Sequence, residues 1–254
     1  MTGVDRPAAE PRRPWLVGVS GASGTPYARA VLTALLDACL PVDVIVSRAA
    51  RLTILDETGI AFRDNHWQAD LADWLGREPA DTKPADTKAA DILAADIEAA
   101  DIRYWTATDL AAGPASGSYP AAGMVVVPAS TAAVAGIAQG LSKDLLQRAA
   151  DVTLKERRPL VVVPRETPYT RSTLINLLTL YDAGAVVLPA SPAFYAGAES
   201  VQQLVDFVAA KVLDAIGVPH SLITRWTGEL GAARAGESSA GESSTGRTIA
   251  APDA

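Results

Sequence analysis

The sequence predicts an α/β fold: a doubly wound, Rossmann-like or flavodoxin-like, mostly parallel sheet in a single domain. Three observations carry this expectation. Short apolar runs recur along the chain, among them WLVGV at 15–19, VDVIVS at 42–47, MVVV at 124–127 and LVVV at 160–163, and such runs read as strands buried on both faces. Stretches with helical spacing lie between them. Each strand end is followed by a loop rich in Ser, Gly, Arg or Glu, on the side of an open sheet where ligands bind.

Composition narrows the function classes. With 254 residues and 49% hydrophobic content, the chain has ample material for one α/β core with tails. A net charge of −7, with Lys and Arg not gathered into a stripe, argues against a nucleic-acid footprint. The single cysteine, Cys39, excludes an internal disulfide and suits a reducing cytoplasm; its place in an apolar helix predicts a buried bystander. The Pro-rich start has no apolar h-region, and no run of eighteen apolar residues occurs, so neither a signal peptide nor a membrane span is expected.

The elements follow in order. Residues 1–13 read as a polar tail. After the strand at 15–19, SGASG and Pro26 lead into an apolar-periodic helix from Tyr27 to Leu40. A strand, a Gly-Ser turn and a helix start present backbone N–H groups and a positive dipole end to a phosphate. Gly21 and Gly24 would serve a plain tight turn equally well, and the third glycine of the dinucleotide fingerprint is missing. Ser47 stands where it would cap the next helix or touch a ligand. Glu57 ends that helix, an unfavourable place for an acid, which hints at another requirement. From Gly76 to Ile102 the pair Ala-Asp recurs every five residues; this reads as a low-complexity surface insertion. A second strand-to-helix junction follows Val127, where Ser130 is either N-cap or anion contact.

The stretch RAADVTLKERRPLVVVPRETP, 148–168, reads as a helix stopping at Pro159, a strand, and a loop carrying Arg165 and Glu166. Arg148, Asp151, Val152 and Lys155 share one helix face. An Asp151–Lys155 surface pair, with Arg157 and Arg158 complementing the helix end, explains that face as well as a ligand site does. A helix from Arg171 to Ala183, a strand from Ala185 to Leu188 and a long helix from Val201 to Ile216, bearing Lys211, complete the domain at about residue 228. Residues 229–254, with AGESS written twice, read as a disordered tail. The junctions and the few aromatics suit a ligand with a phosphate and a flat ring, such as flavin mononucleotide.

The 148–168 stretch resembles the signature of the UbiX family, the flavin prenyltransferases. GVSGASG at 18–24, SRAA at 47–50 with Glu57 behind it, PASGS at 114–118, PAST at 128–131 and the pair Phe194-Tyr195 resemble the family in its own order. The resemblance implies FMN against Gly21, Ala22, Ser23, Ser47, Ser130, Thr131, Ala132, Ala133 and Arg148. It implies a prenyl phosphate held by Lys155, Arg165, Glu166, Tyr195 and Lys211, with Ser23 and Glu57 near the reacting flavin edge and Trp226 as an aromatic wall. The implied reaction joins the dimethylallyl group of dimethylallyl phosphate to N5 and C6 of reduced FMN, without a metal, for use by a UbiD-type decarboxylase. The resemblance also implies a large homo-oligomer, of the size of a dodecamer, with sites between subunits. Ala129 and Thr173 depart from residues common in the family. Two alternatives remain: a cysteine decarboxylase of the same fold group, for which His66 stands in no matching motif, and a non-catalytic flavin-binding accessory subunit.

Overall fold

A computed structural model describes residues 12–76, 101–194 and 198–225. Six strands form one sheet: β1 Trp15–Val19, β2 Val42–Val46, β3 Ile102–Thr106, β4 Gly123–Ala129, β5 Leu160–Pro164 and β6 Val186–Val187. Their order is β3-β2-β1-β4-β5-β6, and every neighbouring pair is parallel. The sheet is therefore wholly parallel, and β1, β2, β4 and β5 are buried at every residue, as two covered faces demand.

Seven helices of two or more turns accompany it among the described residues: α1 Thr25–Asp37, α2 Arg48–Thr58, α3 Trp67–Gly76, α4 Thr131–Ala138, α5 Leu145–Lys155, α6 Arg171–Asp182 and α7 Val201–Ile216. One face of the sheet packs Val17, Val44, Val125 and Val161 against Val31, Leu35, Val208 and Val212 of α1 and α7. The other packs Ile45, Met124, Val126 and Val162 against Val134, Leu146, Ala150 and Leu177 of α4, α5 and α6. The predicted strands and helices agree to within two or three residues; the strand read at 185–188 shortens to two.

Three local expectations change. Cys39 is exposed, because α1 stops at Asp37 and the chain turns through Cys39 with φ 53 before Pro41. Asp151 pairs with Arg148 at 2.8 Å and Lys155 pairs with its neighbour Glu156. Arg158 leaves the helix end and donates to the carbonyls of Tyr119 and Gly117 at 2.7 and 2.8 Å. The insertion was expected at 76–102; its 77–100 portion and the two tails apart from Arg12 and Arg13 lie outside the described residues.

Candidate active site at the carboxyl ends of the strands

The first junction is built around a hydroxyl. Ser20, 2% exposed at the end of β1, donates its Oγ–H to the Pro128 carbonyl at 2.8 Å and accepts from the Ser130 amide at 2.7 Å. One side chain thus ties the β1 loop to the β4 loop. Gly21 follows because a Cβ there would collide with Ala49 on α2. Gly24 has φ 106, the left-handed region that a side chain resists.

Ser47 and Ser130 are both N-caps, accepting from Ala50 and Ala133 at 3.1 and 3.2 Å. The starts of α2 and α4 therefore face the same end of the sheet with their first amides directed outward, an arrangement that favours an anion. Thr131, Ala132 and Ala133 form the first turn of α4, and Ser23 and Ala22 lie in the loop between β1 and α1.

The third helix start is already filled. Glu57, from the last turn of α2, accepts from the amides of Gly24 and Thr25 at 2.8 Å each and from the Thr25 hydroxyl at 2.6 Å. The expectation that the SGASG turn offers its helix amides to a phosphate is corrected here: a carboxylate of the same chain holds them. Burial pushes the Glu57 carboxyl up, but hydrogen bonds from Thr25, Ser23 and the Gly24 and Thr25 amides outweigh it, so the group stays below its ordinary value. The misplaced acid of α2 is thus well placed for the dipole of α1.

The central loop closes over this junction. Arg165 donates Nε–H to the Ser23 carbonyl at 2.9 Å, so the β5 loop rests on the β1 loop. Glu166 is exposed and, among the described residues, accepts from the neighbouring Thr167 amide alone, at 2.9 Å. Two tyrosines that the sequence reading did not single out flank it. Burial raises the Tyr27 phenol, opposed by the charge of Arg165, and burial together with the Glu166 charge raises that of Tyr169. Their signal was only their placement two residues into a helix and three after Glu166.

Arg148 sits one turn into α5, donating to the Ala115 carbonyl at 3.1 Å beside its Asp151 pair. The start of α5 is hung on the carboxyl end of β3 by a 2.7 Å bond from the Leu145 amide to Ala107. Lys155, ten residues later, is about 15 Å farther along the helix, against Gly117 and near the start of β5. The structure therefore brings together Gly21, Ala22, Ser23, Ser47, Glu57, Ser130, Thr131, Ala132, Ala133 and Arg165, with Arg148 and Glu166 at the margin. It does not bring Lys155 to them within one chain. Lys211, on the outer side of α7, pairs with Asp214 at 3.3 Å. Tyr195 and Trp226 lie outside the described residues.

The flavoprotein family model matches residues 5–213. A flavin prenyltransferase UbiX from Streptomyces coelicolor is 66% identical over 221 residues, which are 87% of this chain and 98% of that protein. The chain belongs to the flavin prenyltransferases. Solved structures agree with this membership. AnUbiX in complex with FMN and dimethylallyl pyrophosphate is 35% identical, with a TM-score of 0.69 over 86% of this chain and all of that one. A dodecameric FMN-dependent UbiX-like decarboxylase from Escherichia coli O157:H7 is also 35% identical, with a TM-score of 0.67 over 84% of this chain and 99% of that one. The two serine-capped helix starts remain the places in this site suited to an anion. Among the described residues no group of three or more His, Cys, Asp or Glu is arranged to hold a metal ion, and no described helix is long and apolar enough to cross a membrane.

Proposed function

We propose that this flavin prenyltransferase joins the dimethylallyl group of dimethylallyl phosphate to N5 and C6 of reduced FMN, at the carboxyl ends of β1, β2 and β4. The observation that carries the placement is the pairing of two open helix starts, at Ser47 and Ser130, beside a β1 loop pinned by Ser20 and Arg165. Ser47, Ser130 to Ala133 and Arg148 hold the flavin's phosphate and ribityl chain; Gly21, Ala22 and Ser23 approach its ring.

Breaking an allylic C–O bond requires the leaving phosphate to be met by fixed cations. Arg165 is held in place for this by Ser23, while Lys155 and Lys211 supply further charge. Tyr195 and Trp226 offer aromatic faces to the allylic cation, and Glu166 exchanges a proton with the departing phosphate as the ring is substituted. Its side chain is free of any cation partner among the described residues. Lys155, at the far end of α5, reaches this phosphate from a neighbouring subunit, which makes the site a shared one. The product serves a UbiD-type decarboxylase, and the assembly works in the cytoplasm.

The test is mass spectrometry of the flavin after anaerobic incubation with reduced FMN and dimethylallyl phosphate or diphosphate, beside Glu166→Gln. A gain of one C5 unit that falls in the variant supports the proposal. Unmodified FMN that stays bound overturns it in favour of an accessory flavoprotein.

The shared site also predicts where subunits meet. The outer face of α6 exposes Leu174, Leu178 and Tyr181 at 55%, 58% and 68%, a helical stripe of the kind that marks an interface. Leu178→Asp is expected to reduce the mass seen by light scattering while leaving the helical circular dichroism unchanged. An unchanged mass would remove this face from the assembly.

A further inference from the structure

The two serine-capped helix starts are tied to β1 by different means. At α2 the Ser47 amide donates to the Val19 carbonyl at 2.9 Å, a bond between main chains. At α4 the Ser130 amide donates instead to a side chain, Ser20 Oγ, at 2.7 Å. The first bond does not depend on which side chains the two residues carry. The second depends on one hydroxyl.

That hydroxyl works in both directions. Ser20 donates its Oγ–H to the Pro128 carbonyl at 2.8 Å while the same oxygen accepts from Ser130, and the Ser20 amide donates to the same carbonyl at 3.2 Å. One residue therefore spans the carbonyl and the amide on either side of Ala129 and clips the bend through which β4 enters α4. The register of β4 on β5 shifts between Val126 and Ala129, so the regular ladder is interrupted just before this bend. From the β5 side the Arg165 amide donates to the Ala129 carbonyl at 3.2 Å. Ser20 is 2% exposed, too deep to touch a ligand itself.

What the bend aims is the start of α4. Ser130 and Thr131 are both partly exposed, so two hydroxyls stand beside the first amides of that helix, whereas Ser47 at α2 is 8% exposed. The Ser130 hydroxyl accepts from the Ala133 amide and keeps its own hydrogen to donate. A phosphate, with several acceptor oxygens, gains most from the start that offers more donors.

We propose that Ser20 is a positioning residue for the flavin's phosphate: by holding the Pro128 carbonyl and the Ser130 amide, it sets the direction in which the α4 start meets that group. The inference rests on the placement of FMN proposed above. Donors fixed in direction before the ligand arrives need no reordering when it binds.

The test is fluorescence titration of the full chain, freed of flavin, with FMN and with riboflavin, which carries the same ring and ribityl chain without the phosphate. The wild type is expected to prefer FMN. In Ser20→Ala the ratio of FMN to riboflavin affinity is expected to fall about tenfold, the size of one charge-assisted hydrogen bond, with the loss falling on FMN. A serine that only knits two loops together would weaken both flavins alike, so an equal loss, or none, overturns the proposal. If Ser20→Ala does not fold, Ser20→Cys, which keeps the shape of the side chain and weakens both of its bonds, decides in its place: a lowered ratio supports the proposal and an unchanged one overturns it. A wild type that binds neither flavin, or both equally well, sinks the placement of the phosphate and the positioning role with it. A wild type that prefers FMN, with the preference unaltered in the variant, sinks the positioning role alone.

Discussion

Lys155→Ala and Arg165→Ala are each expected to lose prenyl transfer by two to three orders of magnitude, as when one fixed donor to a developing anion is removed, and to regain it when the two inactive proteins are mixed. The reason is geometric. Arg165 lies at the carboxyl end of β5 on the Ser23 carbonyl, whereas Lys155 ends α5 near the start of the same strand. A five-residue strand and an eleven-residue helix each keep those ends about 15 Å apart. If one site draws its cations from two subunits, mixed assemblies contain sites with both residues intact. Rate recovery on unfolding and refolding the two variants together, measured as flavin prenylation, supports a shared site; no recovery, with assembly confirmed, overturns it and means that Lys155 acts from within its own chain.

Glu57→Ala is expected to produce the largest loss of stability among the site residues and to abolish turnover. The substitution strips the acceptor from two amides and from the Thr25 hydroxyl, and Thr25 is fully buried. Leaving such donors unpaired costs roughly 2 kcal/mol, a fall in melting temperature of about 5 °C for a domain of this size. Glu57→Gln retains the shape but turns an amide toward the donors, so it is expected to sit between. Acid has a related effect. The folded carboxyl titrates below its ordinary value of 4.5, so the folded state binds fewer protons than the unfolded one. The stabilisation is complete above pH 4.5 and is lost as pH falls through the lower folded value. Denaturant melts at falling pH are expected to show this loss in the wild type and not in Glu57→Ala. Parallel curves for the two proteins would show that Glu57 contributes nothing through its charge.

How much of this was legible beforehand depended on the range of each interaction. The strands at 15–19, 42–46 and 160–164 follow from apolar runs, and Ser47 and Ser130 as caps follow from residue type and position, because both are decided within a few residues. Glu57 stood out as an acid at the wrong end of its helix. Its partners, 32 and 33 residues away, depend on how α1 and α2 are packed side by side, which no local pattern contains. Arg158 reads as a helix-end cation until the 113–122 loop descends along α5 and offers it two carbonyls. Cys39 was misplaced by the two residues that separate an apolar helix from its turn. The residue roles drawn from family resemblance go further than physics does, since Lys155 and Arg165 share ten residues of sequence and no common neighbourhood in one chain.

The position of β3 has a consequence for how this molecule tolerates change. It is one of the two edge strands, and the tract at 77–100 joins Gly76 to Asp101, directly before its first residue. Lengthening the chain there adds material before the amino-terminal end of an edge strand, at the end of the sheet opposite the candidate site. Length added at that join is expected to leave turnover unchanged. For the same reason it is a natural place to introduce an affinity tag or a reporter without altering the enzyme's rate.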